Sequence, residues 1–152
     1  MKCLVLGATG RIGQILQWGW PKESALQPTW QCRYQPKGPL ASASKWISSD
    51  PLSPNKQLIN FSQNADVVIN LLGVIPASSD NLNLNTQLAM APFYMGCKAP
   101  AIITSSAAIY GSNPLPNVEI QSPSPISAYG RAKYDMEPVS YTHLTLPTIL
   151  LV

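Results

Sequence analysis

The residues best suited to chemistry lie in Ser127-Ala128-Tyr129-Gly130-Arg131-Ala132-Lys133. Tyr129 and Lys133 are four apart in a stretch that reads as a helix, so their side chains share a face one turn apart. An ammonium beside a phenol favours the phenolate and lowers its pKa, which makes Tyr129 a usable proton donor or acceptor near neutral pH. Ser106 lies just past the apolar run Ala101-Ile102-Ile103, at a strand end, where open α/β sheets hold their ligands. Its hydroxyl is suited to bond a carbonyl or alcohol oxygen undergoing reduction or oxidation. A lone Tyr-x-x-x-Lys is equally an exposed helical pair, and two strand-end serines are ordinary polar residues. What distinguishes them is the order in which they follow a glycine turn and an apolar strand carrying Asn70 and Gly73.

That turn is Gly7-Ala8-Thr9-Gly10-Arg11-Ile12-Gly13, directly after the apolar run Lys2-Cys3-Leu4-Val5-Leu6. Glycines at this spacing allow a tight turn, close backbone approach to a pyrophosphate, and close packing of the next helix on the sheet. Free N–H groups at the helix start then face the phosphates. Gly7, Thr9, Gly10 and Gly13 are therefore candidate cofactor-binding residues. The plain reading is a structural strand-to-helix turn.

The end of the second strand selects between cofactors. An acid there holds a ribose 2′-hydroxyl, whereas a base suits a 2′-phosphate. The segment Cys32-Arg33-Tyr34-Gln35-Pro36-Lys37 holds no acid but does hold Arg33 and Lys37, which favours NADP over NAD. The competing reading makes both of them solvated surface cations.

Positioning these groups requires alternating strands and helices. Strands are expected at 2–6, 29–34, 45–48, 66–72 and 101–105. Helices are expected at 11–19, 56–63 and 82–97, the last kinked at Pro92, with another beginning at 128–137. The segment 112–127 reads as a Pro/Ser-rich loop. Such alternation argues for a parallel sheet covered on both faces. The expected architecture is α/β, a Rossmann-like doubly wound parallel sheet truncated at the C-terminus; its strand order, 3-2-1-4-5, is what the family resemblance carried by these elements implies.

Composition is consistent with this. The chain has 152 residues, 45% hydrophobic and only 11% charged, which excludes a highly charged disordered chain. Ten basic residues are scattered and the net charge is +3, so no patch tracks a phosphate backbone and no nucleic-acid partner is expected. The apolar run 67–76 is broken by Asn70 and Gly73 and is too short for a membrane span. The N-terminus enters a strand pattern at once, without the layout of a signal peptide. Cys3, Cys32 and Cys97 are few, odd in number and far apart, and read as buried free thiols in a reducing cytoplasm. The tryptophans Trp18, Trp20, Trp30 and Trp46 read as packing residues, and Asp66 as a loop or capping residue. No cysteine or histidine motif for a metal is present.

The C-terminal stretch Val139-Ser-Tyr-Thr-His-Leu-Thr-Leu-Pro-Thr148 is what a transposase mosaic end joined to a sequencing adapter would encode. The division expected is 1–138 as an NAD(P)-binding Rossmann domain and 139–152 as a non-native tail, the natural segment ending near Glu137. The competing reading is a genuine apolar strand. His143, the single histidine, falls in this tail, which leaves no histidine chemistry in the remainder.

Four pieces together, GATGRIG, DVVINLLGV, ITSSAAIYG and SAYGRAK followed by Glu137, resemble the short-chain dehydrogenase/reductase superfamily in its extended branch of NAD(P)-dependent epimerases and dehydratases. The resemblance runs from Met1 to about Glu137. It implies that Ser106, Tyr129 and Lys133 form a catalytic triad, with Ser106 matching rather than Ser105 because it stands four residues before Tyr110. It implies further that Arg11 and Ile12 lie over the pyrophosphate, that Asp50 meets the adenine, that Leu71, Leu72 and Gly73 line the cofactor, that Lys133 also holds the nicotinamide ribose, and that Asn85 matches a helical asparagine. The implied activity is hydride transfer between NADP or NAD and a carbonyl or alcohol carbon of a small molecule such as a nucleotide sugar, with a homodimer in the full-length protein. A non-catalytic NAD(P)-sensing protein of the same fold is the alternative, and the Tyr/Lys pair speaks against it. Where the family's dehydratases carry an Asp-Glu pair after the catalytic hydroxyl residue, this chain has Ala107 and Ala108, so sugar dehydration is not expected. The further strands and C-terminal substrate-binding part of the family are absent, so the substrate site is expected to be incomplete.

Overall fold

A computed structural model describes residues 1–37, 45–74, 82–112, 116–118 and 120–143. Its framework is a five-stranded parallel sheet in the order β3-β2-β1-β4-β5. The strands are β1 (Lys2–Leu6), β2 (Gln27–Cys32), β3 (Lys45–Ser48), β4 (Val67–Asn70) and β5 (Ala101–Ile103). The helices are α1 (Arg11–Gly19), α2 (Lys56–Gln63), α3 (Leu84–Tyr94) and α4 (Ala128–His143), with a 3-10 turn at Ala107–Tyr110. This is the Rossmann-like order expected from the sequence.

After the exposed Lys2, β1 is apolar through Leu6 because both of its faces are covered. Leu4 and Leu6 point into a core shared with Leu58 of α2, Ala89 and Ala91 of α3, and Met136 of α4. Cys3 and Val5 point the other way, into a smaller core with Trp30, Leu16 and Trp20 beside α1. The period-2 alternation of a strand therefore divides one short run between two cores. Between β1 and β4 the strand order reverses, and their carboxyl ends form the crevice where such sheets bind ligands.

β2 lies two residues earlier than expected, so Arg33 and Tyr34 fall beyond its end. Pro28 is accommodated in the second position of the strand, paired in register with Cys3. β4 and β5 are shorter than expected, and Leu71, just past the end of β4, lines the crevice. α3 spans fewer residues than 82–97, and α4 runs on through 143. Residues 144–152, most of the stretch read as a tail, lie outside the described residues.

The three cysteines are buried and free. Asp66 is a capping residue, its carboxylate accepting the Lys2 N–H at 2.6 Å. Trp30 is buried and Trp20 stands edge-on to it, ring centroids 5.4 Å apart. Trp18 departs from the packing role, being 91% exposed on the outer face of α1. Among the described residues no helix is long and apolar enough to cross a membrane, and no three His, Cys, Asp or Glu side chains group as metal ligands.

Candidate functional site

The glycine turn leads straight from β1 into α1. Gly7 has φ +75°, and a Cβ there would stand 3.2 Å from the Leu71 carbonyl carbon, so both the backbone angle and the neighbouring strand end demand glycine. At Gly13 a Cβ would stand 2.6 Å from the Ala8 backbone, which lets α1 pack directly on the turn. The turn's N–H groups divide into two sets. Gly7 donates to Gln31 Oε1 at 2.9 Å, Ala8 to the Gln31 carbonyl at 3.0 Å, Gly10 to the Gly7 carbonyl at 3.0 Å, and Gln14 to the Gly10 carbonyl at 2.9 Å. The N–H groups of Thr9, Arg11, Ile12 and Gly13 have no partner among the described residues, and Arg11 and Ile12 are exposed at the start of α1. A helix N-terminus with free N–H groups facing a cleft favours an anion by hydrogen bonding and by the helix dipole.

The cleft beside this turn measures about 520 Å³. Gly7, Thr9 and Gly10 form one wall, Leu71, Leu72 and Gly73 the other, and the segment from Gln31 to Tyr34 closes one end with Pro51. At that end Arg33 and Asp50 form an ion pair at 3.8 Å, with side chains 60% and 45% exposed. The Asp50 carboxylate also accepts the Leu52 N–H at 2.9 Å. Lys37 is exposed.

The opposite wall is set by two buried asparagines. Asn70, at the end of β4, donates to the Leu88 carbonyl at 2.9 Å and the Ala89 carbonyl at 3.2 Å, and accepts the Leu72 N–H at 3.1 Å. Asn85, on α3, accepts the Val74 N–H at 3.0 Å and donates to the Leu82 carbonyl at 2.9 Å. The segment 71–74 is thus held at both ends by carboxamides.

Lys133 comes from α4 to the same place. It is 3% exposed, and its Nζ donates to the Thr104 carbonyl at 3.3 Å, at the end of β5. A Cβ on Gly73 would lie 3.2 Å from that Nζ and 3.4 Å from Asn85 Oδ1. Gly73, Asn85 and Lys133 therefore converge at the edge of the cleft. Burial holds the Lys133 ammonium below the ordinary lysine value, and the Glu137 carboxylate partly offsets this.

The two serines after β5 have different partners. Ser105 Oγ donates to the Glu137 carboxylate, one turn beyond Lys133 on α4. Ser106 Oγ caps the 3-10 turn, accepting the Ala108 N–H at 3.2 Å, and its own hydrogen is left to donate. Gly130 lies against the Ala108 carbonyl, closely enough that a Cβ would collide with it. That contact brings the first turn of α4, carrying the half-buried Tyr129, against the turn that Ser106 opens. The 3-10 turn thus meets the start of α4 through the Gly130–Ala108 contact, and Lys133 reaches the residue after β5 through the Thr104 carbonyl.

Reasoning from the sequence missed three residues here. Gln31, Asn70 as a tether, and Glu137 as the partner of Ser105 are polar groups placed among apolar neighbours. The signal available for the first two was a carboxamide inside a strand otherwise read as buried.

The model of the NAD dependent epimerase/dehydratase family matches residues 3–142. Among solved structures, UDP-glucuronic acid 4-epimerase from Bacillus cereus in complex with NAD is 27% identical, with a TM-score of 0.70 over 94% of this chain and 52% of that one. The same enzyme with UDP-glucuronic acid and NAD is 25% identical, with a TM-score of 0.73 over 99% of this chain and 55% of that one. ADP-L-glycero-D-manno-heptose-6-epimerase from Helicobacter pylori, 20% identical, shares the fold with a TM-score of 0.72 over 93% of this chain and 50% of its own. The chain spans about half the length of these structures. No curated protein matches it in sequence.

Proposed function

The chain belongs to the NAD dependent epimerase/dehydratase family, and on that premise we propose that it is the dinucleotide-binding part of an NAD(P)-dependent oxidoreductase or epimerase of the extended short-chain dehydrogenase type. The substrate class proposed is a nucleotide sugar or a similar carbonyl or alcohol compound. The observation that carries the reading is the convergence of Lys133, Asn85 and Gly73 at the end of the cleft that the glycine turn opens.

The residues present fit a dinucleotide. Gly7 and Gly73 leave backbone open where a Cβ would intrude, and the free N–H groups of Arg11 and Ile12 suit a pyrophosphate. Leu71, Leu72 and Gly73 offer an apolar wall, and Asp50 and Arg33 stand at the adenosine end. When bound, a nicotinamide supplies the hydride chemistry. The chain's own residues then handle the proton and the oxygen. Ser106 donates a hydrogen bond to the substrate oxygen. Tyr129 takes the proton from an alcohol as it becomes a carbonyl, or returns it in the reverse direction. Lys133, one helical turn from Tyr129 and anchored on the Thr104 carbonyl, offers N–H groups to the ribose.

The cofactor proposed is NADP or NAD, with NADP favoured by Arg33 and Lys37 and the absence of an acid between them.

Tyr129→Phe tests the catalytic assignment. Removing the proton-transfer group lowers turnover by about 10²–10⁴-fold, while dinucleotide affinity, measured by calorimetry, stays within about twofold. Unchanged turnover of the full-length protein defeats the assignment of Tyr129, whereas dinucleotide binding with no turnover in the unsubstituted full-length protein favours a dinucleotide-sensing protein.

A further inference from the structure

From the buried contacts of one side chain we infer that Gln31 is a positioning residue for the dinucleotide, holding the glycine turn in its receiving shape by clamping it to the end of β3. This rests on the proposed reading of the cleft as a dinucleotide site.

Gln31 is 1% exposed, so it offers a bound molecule almost no surface of its own. Its carboxamide is satisfied at both ends. Oε1 accepts the Gly7 N–H at 2.9 Å, and Nε2 donates to the Ser49 carbonyl at 2.7 Å. Its backbone carbonyl also accepts the Ala8 N–H at 3.0 Å. One residue of β2 therefore holds two successive N–H groups of the turn and ties them to the segment that leads into Asp50.

Two further glutamines complete the arrangement from α1. Gln17 Nε2 donates to the Ala8 carbonyl at 2.6 Å and Gln14 Nε2 to the Thr9 carbonyl at 2.8 Å. Three carboxamides thus fix Gly7, Ala8 and Thr9. With the Gly7 and Ala8 N–H groups occupied, those of Thr9, Arg11, Ile12 and Gly13 remain without a partner among the described residues, presented by a turn that is held at Gly7, Ala8 and Thr9. Preorganised donors hold an anion more tightly than donors that must first be ordered, because the ordering cost is met on folding.

Leu or Val would suit a buried strand position here but would leave the Gly7 N–H and the Ser49 carbonyl without their partner. The carboxamide is warranted by the positive-φ glycine beside it. The Gly7 N–H is directed inward, where no backbone acceptor reaches it, and an unmet buried donor is costly.

The test compares the 152-residue chain with Gln31→Met, which keeps the volume and loses both bonds, and with Gln31→Glu, which keeps only the acceptor in its ionised form. Cys97→Ala, in the core away from the cleft, serves as a destabilised control. NADP and NAD affinities are read by calorimetry, melting temperature by circular dichroism, and exchange of the Gly7 and Ala8 amides by NMR without dinucleotide. Expected are slow exchange at Gly7 in the original chain, acceleration in Gln31→Met, and a dinucleotide affinity at least about tenfold weaker than in Cys97→Ala at matched loss of melting temperature. Gln31→Glu falls between, and recovers affinity as pH is lowered and the carboxyl regains a donor. If the original chain binds dinucleotide and Gln31→Met binds equally well, the positioning role is overturned while the cofactor reading stands. If the original chain binds neither dinucleotide, the reading of the cleft fails and takes this role with it. Where Gln31→Met does not fold, fast exchange at Gly7 in the original chain overturns the inference and slow exchange, with a pH-dependent affinity in Gln31→Glu, supports it.

Discussion

Asn70 donates to the carbonyl of Leu88 at 2.9 Å, and Leu88 stands four residues before Pro92 in α3. A proline has no N–H, so the carbonyl four residues earlier loses its helical donor. Asn70 supplies the missing bond from the end of β4. One side chain thereby repairs a helix and, through the Leu72 N–H, holds a wall of the cleft. This explains how α3 carries a proline while remaining buried.

Replacing Asn70 by Leu should destabilise the chain by about 1–3 kcal/mol, because the Leu88 carbonyl and the Leu72 N–H are left unmet. In a Pro92→Ala background the helix supplies its own donor to Leu88. The cost of Asn70→Leu should then shrink, giving a coupling of about 0.5–3 kcal/mol in a double-mutant cycle read by urea unfolding. Additive effects would show the two residues to be independent.

Gly13→Ala should destabilise despite improving helix propensity. The propensity gain is at most about 1 kcal/mol. Against it, the new methyl would lie 2.6 Å from the Ala8 backbone, which cannot rotate away. Overpacking of this kind costs about 1–3 kcal/mol and displaces the start of α1. Both a lower melting temperature and weaker dinucleotide binding are expected; a more stable variant would contradict this packing.

Lys133 makes stability depend on pH at the alkaline end. Its folded value lies below the ordinary 10.5 because of burial, with Glu137 opposing. Between the two values the unfolded chain binds more protons than the folded one, so stability rises with pH through that window and levels off above 10.5. Lys133→Met should flatten the rise. Glu137→Gln removes the opposing attraction and should extend the window downward. Urea unfolding at a series of pH values reads both.

The Arg33–Asp50 pair should modulate the choice of cofactor. An exposed pair is worth little, so freeing Arg33 through Asp50→Asn should raise the NADP-to-NAD affinity ratio by no more than about fivefold, and less at high salt. Arg33→Met should lower the ratio. Competitive titration with both dinucleotides measures it, and a ratio unmoved by either change would remove Arg33 from the recognition of a 2′-phosphate.

The origin of residues 139–152 is checked by recovering the corresponding gene from its source genome. A natural reading frame that departs from this sequence at about Glu137 is expected; one that encodes Val-Ser-Tyr-Thr-His-Leu would establish the segment as native.

The sequence by itself determined the five strands, the glycine turn and the Tyr129/Lys133 spacing through local signals: apolar runs, glycines at required intervals and residues one helical turn apart. The sheet order, which no local signal carries, followed from the resemblance of those pieces to a known family. Tertiary structure alone decided which polar groups meet. Gln31 finds Gly7, Asn70 finds Leu88, and Ser105 rather than Ser106 finds Glu137. Each of these pairs spans 18 to 32 residues of chain, so no spacing rule reveals it. The pairings arise because folding buries donors and acceptors that must be satisfied by whatever the sheet and helices bring alongside. Trp18 shows the same limit from the opposite side: its type suggested the core, but the helical face on which it fell turned it to solvent.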